Sequence, residues 1–323
     1  MPVSRPPPKS TNVRSFGARA ARAGLRAVSA VAPDLAVRAA GRLLLTPPRH
    51  PAPQAERAGL ARAEPLAFRV RGEALRAWRL GCGPAVLLLH GWGGRAGQLL
   101  PLAEALAAAG CAAVTVDAPA HGASRGCIAS MIHFADAAET VARAVGARAA
   151  VGHSLGGAAV ALAAVRGLEL DAAVVIAAPR GPAGFVTHAA AELGLSERAL
   201  GAEMERRLGV SPDALDLPRL APPGAPPLLV IHDPGDREVP FADGAALAEG
   251  WPTARLIATQ GLGHRRILRD AAVIAAAVAH ARERLPRCGG CGRLATVAAP
   301  EPRCDGCAVA DDLWDRDRRL AAS

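Results

Sequence analysis

Residues 151–157 read Val151-Gly152-His153-Ser154-Leu155-Gly156-Gly157. Ala149 and Ala150 complete a short apolar run before them, and the Ala-rich stretch Ala158 to Val165 follows, so the heptapeptide closes a strand and opens a helix. Glycines on both sides of Ser154 remove Cβ atoms where strand and helix cross, which lets the serine occupy a strained turn with its hydroxyl above a sheet. The N–H of Leu155, at the positive end of the new helix, is available to a developing oxyanion, a donor worth about 10² to 10³ in rate. Alone, G-x-S-x-G in a chain with 34 Gly reads equally well as a plain turn, and the surrounding sequence has to decide.

Outward from this point the rhythm is regular. Leu66–Arg71 and Ala74–Leu80 alternate around Gly72-Glu73 and predict an antiparallel hairpin. Apolar runs at Ala85–Leu89, Ala113–Val116, Ala149–Val151, Ala173–Ile176, Pro227–Ile231 and Arg255–Ala258 alternate with helical stretches, the pattern of a buried parallel sheet with crossover helices. The fold class is therefore α/β, an open sheet led by a hairpin. Between Pro179 and Pro227 the spacing widens, with helices expected over Phe185–Leu193 and Ser196–Leu208. This insertion reads as a small helical cap spanning about 180–226.

A serine hydroxyl needs a base, and the base needs an orienting carboxylate. After the run ending at Ile231 comes His232-Asp233-Pro234-Gly235-Asp236-Arg237-Glu238-Val239-Pro240, and after the next run Gly261-Leu262-Gly263-His264. With Ser154, Asp and His in this order, the chain resembles the α/β-hydrolases from about Leu66 to Leu285. His90-Gly91-Trp92-Gly93-Gly94 resembles that family's oxyanion loop, and Asp117-Ala118-Pro119-Ala120-His121-Gly122-Ala123-Ser124 its D-x-P-G-H-G-x-S turn. The resemblance implies Ser154 as nucleophile, His264 as general base and then acid, Asp236 as its orienter, and the N–H groups of Trp92 and Leu155 as oxyanion hole. It further implies a serine hydrolase acting on small-molecule esters or thioesters through an acyl-enzyme, with no cofactor for catalysis.

Two departures limit the match. Ala120 stands where the family usually has Gly, and Asp233 is a second carboxylate that spacing alone leaves open. The continuation Asp236-Arg237-Glu238-Val239-Pro240 favours Asp236 by its likeness to the family's G-x-x-D-x-x-V-P-like stretch. Asp171 precedes its strand and is poorly placed for the role. Peptidases, haloperoxidases and lyases of the family use the same three residues, whereas Ser154 disfavours the Asp-nucleophile epoxide and haloalkane hydrolases. The alternative from another class is a non-catalytic scaffold of the same fold that binds a partner through its terminal segments. His90, His121 and His153 are read as hydrogen-bonding backbone or lining the pocket, Asp117 as tying its turn, and Trp92 as either an acyl-pocket wall or a core aromatic.

The 323 residues, 51% hydrophobic and 21% charged, suit one large domain with appendages that needs no disulfides to fold. Residues 1–65 form a basic arm, carrying ten Arg and Lys9 against Asp34, Glu56 and Glu64, a balance of +8 within the +9 of the whole chain. The nearly neutral body excludes a broad nucleic-acid-binding face there. Asn12–Val31 within the arm patterns as a basic amphipathic helix, read either as packed on its own domain or as a contact for an anionic membrane surface. Interspersed Arg14, Arg19, Arg22 and Arg26 leave no secretory h-region, so a cytoplasmic location is expected.

Residues 286–323 carry C-x₂-C-x₁₂-C-x₂-C through Cys288, Cys291, Cys304 and Cys307, which resembles a zinc ribbon and implies one structural Zn²⁺ ion; an Fe or redox-disulfide role is the alternative. Asp305, Asp311, Asp312, Asp315 and Asp317 in this tail disfavour a phosphate-backbone partner, so no nucleic acid is expected. Cys82, Cys111 and Cys127 are expected to be buried thiols.

Overall fold

The computed structural model describes residues 24–285; the cysteine tail with Cys288, Cys291, Cys304 and Cys307, and most of the expected Asn12–Val31 helix, lie outside them. β1 (Glu64–Val70) turns into β2 (Glu73–Leu80) through Arg71 and Gly72, at φ 50° and 82°. Two positive φ values in a two-residue loop suit the right-handed twist of an antiparallel pair. The remaining strands are β3 (Ala85–Leu89), β4 (Ala112–Asp117), β5 (Ala149–His153), β6 (Ala172–Ile176), β7 (Leu228–His232) and β8 (Ala254–Ala258). They form one sheet in the order β1-β2-β4-β3-β5-β6-β7-β8, antiparallel as far as β4 and parallel from there. Strands β3 to β7 are buried on both faces, which is why they read as unbroken apolar runs. The expectation of a buried run fails at β8: as the last strand it has one neighbour, and Leu256 and Ile257 are each 37% exposed.

Helices α1 (Pro33–Leu45) and α2 (Gln54–Leu60) precede the sheet. Crossovers within it are made by α3 (Leu100–Ala108), α4 (Met131–Val145) and α5 (Leu155–Val165), followed by α6 (Ala183–Leu193), α7 (Glu197–Leu208), α8 (Leu217–Leu220), α9 (Phe241–Gly250), α10 (Gly263–Arg266) and α11 (Ala271–Glu283). The capping signals are local: Ser130 accepts the His133 N–H at the start of α4, and Gly146 ends it at φ 64°. Asp270 caps α11 by accepting from Ala272 and Val273. One main core packs Val86, Leu88, Val151, Val174, Ile176, Leu229 and Ile231 of the strands with Leu102 and Leu106 of α3 and Val273, Ala277 and Ala281 of α11.

The chain divides into two compact units. The larger runs from Leu45 to Gly181 and from Asp216 onward, and holds the sheet. The smaller joins Pro182–Leu215 to the described chain before Leu45. Within it the buried Glu203 carboxylate is held by Arg206 and Arg207 of its own helix, and Arg207 also donates to the Arg38 carbonyl at 3.0 Å. Gly41 of α1 makes this possible, since a Cβ there would lie 2.7 Å from Glu203 Cγ. Both helices α6 and α7 fall within two residues of their expected spans. Among the described residues no helix is long and apolar enough to cross a membrane.

Candidate active site

Ser154 stands between the end of β5 and the start of α5 at φ 54° and ψ −125°, a conformation that costs a non-glycine residue about 1–3 kcal/mol and persists only when its surroundings enforce it. The enforcement is visible. A Cβ on Gly152 would lie 2.3 Å from the Gly156 carbonyl oxygen, one on Gly156 2.3 Å from the His90 carbonyl oxygen, and one on Gly91 2.8 Å from Ser154 Cβ. Three glycines therefore let strand, helix and the loop after β3 meet around the serine. Its own backbone is pinned as well: Ser154 N–H donates to the Ile176 carbonyl at 2.8 Å, and its carbonyl accepts from Gly157 and Ala158. Leu155, the first residue of α5, has an N–H with no acceptor inside the helix.

Asp236 lies in the loop after β7. One carboxylate oxygen accepts the N–H groups of Glu238 (2.8 Å) and Val239 (3.0 Å); the other accepts Nδ1–H of His264 at 2.7 Å. His264 thus directs its Nδ1–H to Asp236, and in the neutral ring the lone pair falls on Nε2. Burial works to raise the Asp236 carboxyl, but the Val239 N–H, the His264 ring and the Glu238 N–H overcome it and hold the group below the usual carboxylate range.

The two alternative carboxylates are placed elsewhere. Asp233 is occupied by other donors: its oxygens accept from Gly235 N–H (2.8 Å), the Thr259 hydroxyl (2.8 Å) and the N–H groups of Leu262 (2.7 Å) and Gly263, tying down the loop that carries His264. Asp171 pairs with Arg148 ahead of β5 and β6, at the opposite end of the strands.

His153, next to Ser154, donates from Nε2 to the His264 carbonyl at 2.8 Å, and the two rings lie 4.8 Å apart. Burial, with His264 beside it, holds His153 down at about 3, so it is a neutral ring. His232, which the sequence reading passed over, ends β7 with Nε2 3.1 Å from the Val239 carbonyl and 3.5 Å from the Asp236 carboxylate, fully buried. Its only signal was a histidine closing an otherwise apolar strand directly before the acid loop. The loops after β5, β7 and β8 thereby converge at the carboxyl edge of the sheet, where open α/β sheets bind ligands.

The loops after β3 and β4 meet there too. His90 donates from Nδ1 to the Gly91 carbonyl (2.7 Å) and accepts the Ala118 N–H on Nε2 (3.0 Å); His121 donates to the Pro119 carbonyl (2.9 Å) and accepts the Gly93 N–H (3.0 Å). Burial holds them at about 4 and about 3, so both stay neutral with their tautomers set. As expected, they bind backbone. Asp117 ties its turn by accepting from Ala96 and Ala123, each at 2.7 Å. Gly122 is obligatory beside it, since a Cβ there would lie 2.0 Å from the carboxylate. Ala120 takes φ 65°, a left-handed conformation that favours glycine, despite its Cβ.

Gly94 N–H donates to the Gly91 carbonyl, closing a turn over Trp92 and Gly93. Trp92 is 37% exposed with its ring edge-on to His121 at 5.5 Å, so it is no core aromatic. The cysteine expectation needs correction: Cys111 is buried, but Cys82, in the Gly81–Gly83 turn between β2 and β3, and Cys127, in the loop before α4, are exposed. Cys111 directly precedes the buried strand β4, whereas the other two lie in surface turns. Among the described residues no group of three or more His, Cys, Asp or Glu side chains is arranged to hold a metal ion.

The sequence profile described as the Alpha/beta hydrolase family matches residues 86–277. No curated protein sequence matches the chain. Among solved structures it is similar to Est1E from Butyrivibrio proteoclasticus with ferulic acid bound, at 18% identity and TM-score 0.54 over 68% of this chain and 98% of that one. The esterase Pf2001 of Pyrococcus furiosus is similar at 16% identity and TM-score 0.54, over 70% and 93% of the two chains. A thioesterase domain from the curacin biosynthetic pathway is similar at 17% and 0.50, over 67% and 98%. At these identities the likeness is one of fold.

Proposed function

The chain belongs to the Alpha/beta hydrolase family, and we propose that within it the protein is a serine hydrolase that cleaves carboxylic ester or thioester bonds through an acyl-enzyme on Ser154. Ser154 Oγ attacks the acyl carbonyl while its proton passes to Nε2 of His264. Asp236, ionised and bonded to Nδ1–H, stabilises the imidazolium that forms and keeps the lone pair of the resting base on Nε2. The N–H groups of Trp92 and Leu155 receive the oxyanion, Leu155 with the dipole of α5 behind it. His264 then protonates the departing alkoxide or thiolate, and water repeats the sequence on the acyl-enzyme to release the acid.

The observation that carries this reading is the 2.7 Å bond from His264 to Asp236. A carboxylate and an imidazole from separate loops are oriented at the edge where a serine is held in a strained turn. Esterases and a thioesterase among the similar folds support the substrate class without choosing within it.

A fluorophosphonate probe tests the proposal. The wild type is expected to be labelled stoichiometrically and to hydrolyse p-nitrophenyl acetate or a short acyl thioester, and Ser154→Ala to lose both while melting normally. A folded wild type that is neither labelled nor active on either bond would overturn it and favour the non-catalytic scaffold.

A further inference from the structure

We infer that His153 is a positioning residue, a ring on the nucleophile's strand that carries the main chain of His264 and so sets where the base stands relative to Ser154. This rests on the hydrolase reading above. The His264 carbonyl can only accept, so the proton between the two residues, 2.8 Å apart, belongs to Nε2 of His153. The opposite side of the ring is closed off: a Cβ on Gly91 would lie 3.2 Å from Nδ1, and the His264 ring packs 4.8 Å away. The imidazole is therefore wedged between the loop after β3 and the base.

His264 has need of such a hold. It sits in α10, a helix of 4 residues without a side-chain N-cap, behind Gly261 and Gly263 at φ 68° and 62°. Asp233 anchors that loop through the Thr259 hydroxyl and the N–H groups of Leu262 and Gly263. Beyond these, the bond from His153 fastens the catalytic residue itself to the sheet.

The chemistry explains the residue type. The titratable groups facing His153 are His264 of α10, Asp236 of the loop after β7 and His90 of the loop after β3. A lysine or arginine in this dry space would compete with His264 for the Asp236 carboxylate, whereas a neutral imidazole supplies an N–H without a charge. Because β5 runs directly from His153 into Ser154, one rigid strand locates both the nucleophile and the base's backbone. An error of about 1 Å in such an alignment costs on the order of 10²-fold in rate.

His153→Gln keeps an amide N–H near the Nε2 position, and His153→Leu removes it. In the full-length protein, with p-nitrophenyl acetate as substrate, His153→Leu is expected to lower kcat and the fluorophosphonate labelling rate about 10²-fold, with KM within about twofold. His153→Gln is expected to restore at least tenfold of that loss. The downfield Nδ1–H proton of His264, read by NMR in a Ser154→Ala background, is expected to shift or broaden in the leucine variant and to recover with glutamine. Unchanged kcat in folded His153→Leu, or losses in both variants that track thermal unfolding alone, would overturn the inference. Should the wild type fail to label at all, the hydrolase reading falls, and the NMR signal alone decides: unchanged in His153→Leu, it overturns the positioning role.

Discussion

Two polar clusters sit over the same edge of the sheet and treat like residues differently. Over β3 and β4, His90, His121 and Asp117 are matched to backbone, each imidazole donating to one carbonyl and accepting one N–H, and each Asp117 side-chain oxygen accepting another. Over β7 and β8, Asp233 is saturated by backbone and a hydroxyl, but Asp236 leaves one oxygen to an imidazole whose second nitrogen keeps its lone pair. The same side chains thus serve as loop fasteners in one place and, on the function proposed above, as a proton relay in the other. The distinguishing feature is an atom not consumed by the backbone. Burial does not separate the clusters, since Asp233 and Asp117 are at least as enclosed as a catalytic group would be.

Replacing the acid breaks the comparison most severely. Asp236→Asn is expected to lower kcat about 10⁴-fold, because an amide that donates toward Nδ1 stabilises the wrong imidazole tautomer. Its circular dichroism and melting should stay near those of the wild type, since one side-chain oxygen can still accept from Glu238 and Val239. A variant retaining more than a tenth of the wild-type rate would return Asp236 to the class of fasteners.

Acid sharpens it next. His90, His121 and His153 are held at about 4, about 3 and about 3, below their unfolded value near 6.5, so the unfolded chain binds protons that the native one refuses. The stability they contribute is complete above about pH 6.5 and is lost as pH falls through the window toward 4, at about 1.4 kcal/mol per pH unit for each ring. Asp233 and Asp236, held below the carboxylate range, lose their contribution only below about pH 4. Across pH 7 to 5, urea unfolding should show a slope from these rings that steepens toward about three protons near pH 5, and His121→Asn should flatten that limit by about one. A pH-independent midpoint over that range would show that the imidazoles are already solvated.

The second carboxylate gives a smaller, opposite signature to the first. Asp233→Asn is expected to cost about 2–3 kcal/mol, because an amide cannot satisfy all the donors now converging on both oxygens. Activity per folded molecule should change by less than about tenfold, as Asp233 touches no reacting group. Chemical denaturation beside steady-state rates separates the two effects.

How much of this was legible beforehand follows from which forces are local. Strands β3 to β7 could be found because burial on both faces makes short apolar runs, the hairpin because its residues alternate, and the elbow because its glycines answer a close approach that only strand-to-helix turns impose. The exposure of β8 was not legible, since it depends on strand order and not on the strand's own residues. Nor did spacing separate Asp233 from Asp236: both follow the same strand within three residues, and only the turn between them decides which oxygen meets His264. The partners of His153 and His232 were hidden for a related reason: each is a main-chain carbonyl in a loop or short helix, of His264 and of Val239, and carries no sequence signal. Cys82 and Cys127 were misplaced because composition ranks residue types while exposure belongs to positions.

Ala120 supplies the smallest test. It is buried and sits at φ 65°, where an L side chain costs about 1–2 kcal/mol relative to glycine. Ala120→Gly removes that strain but frees the unfolded chain by about 0.4–1 kcal/mol and deletes a buried methyl, so the net gain should be at most about 1 kcal/mol. Differential scanning calorimetry resolves a change of this size. If the variant is destabilised instead, packing of the methyl outweighs the strain, and the turn over β4 is held by contacts as well as by its hydrogen bonds. In either case the hydrolysis rate is expected to stay unchanged, because Ala120 supplies no group to the proposed proton transfer or oxyanion hole.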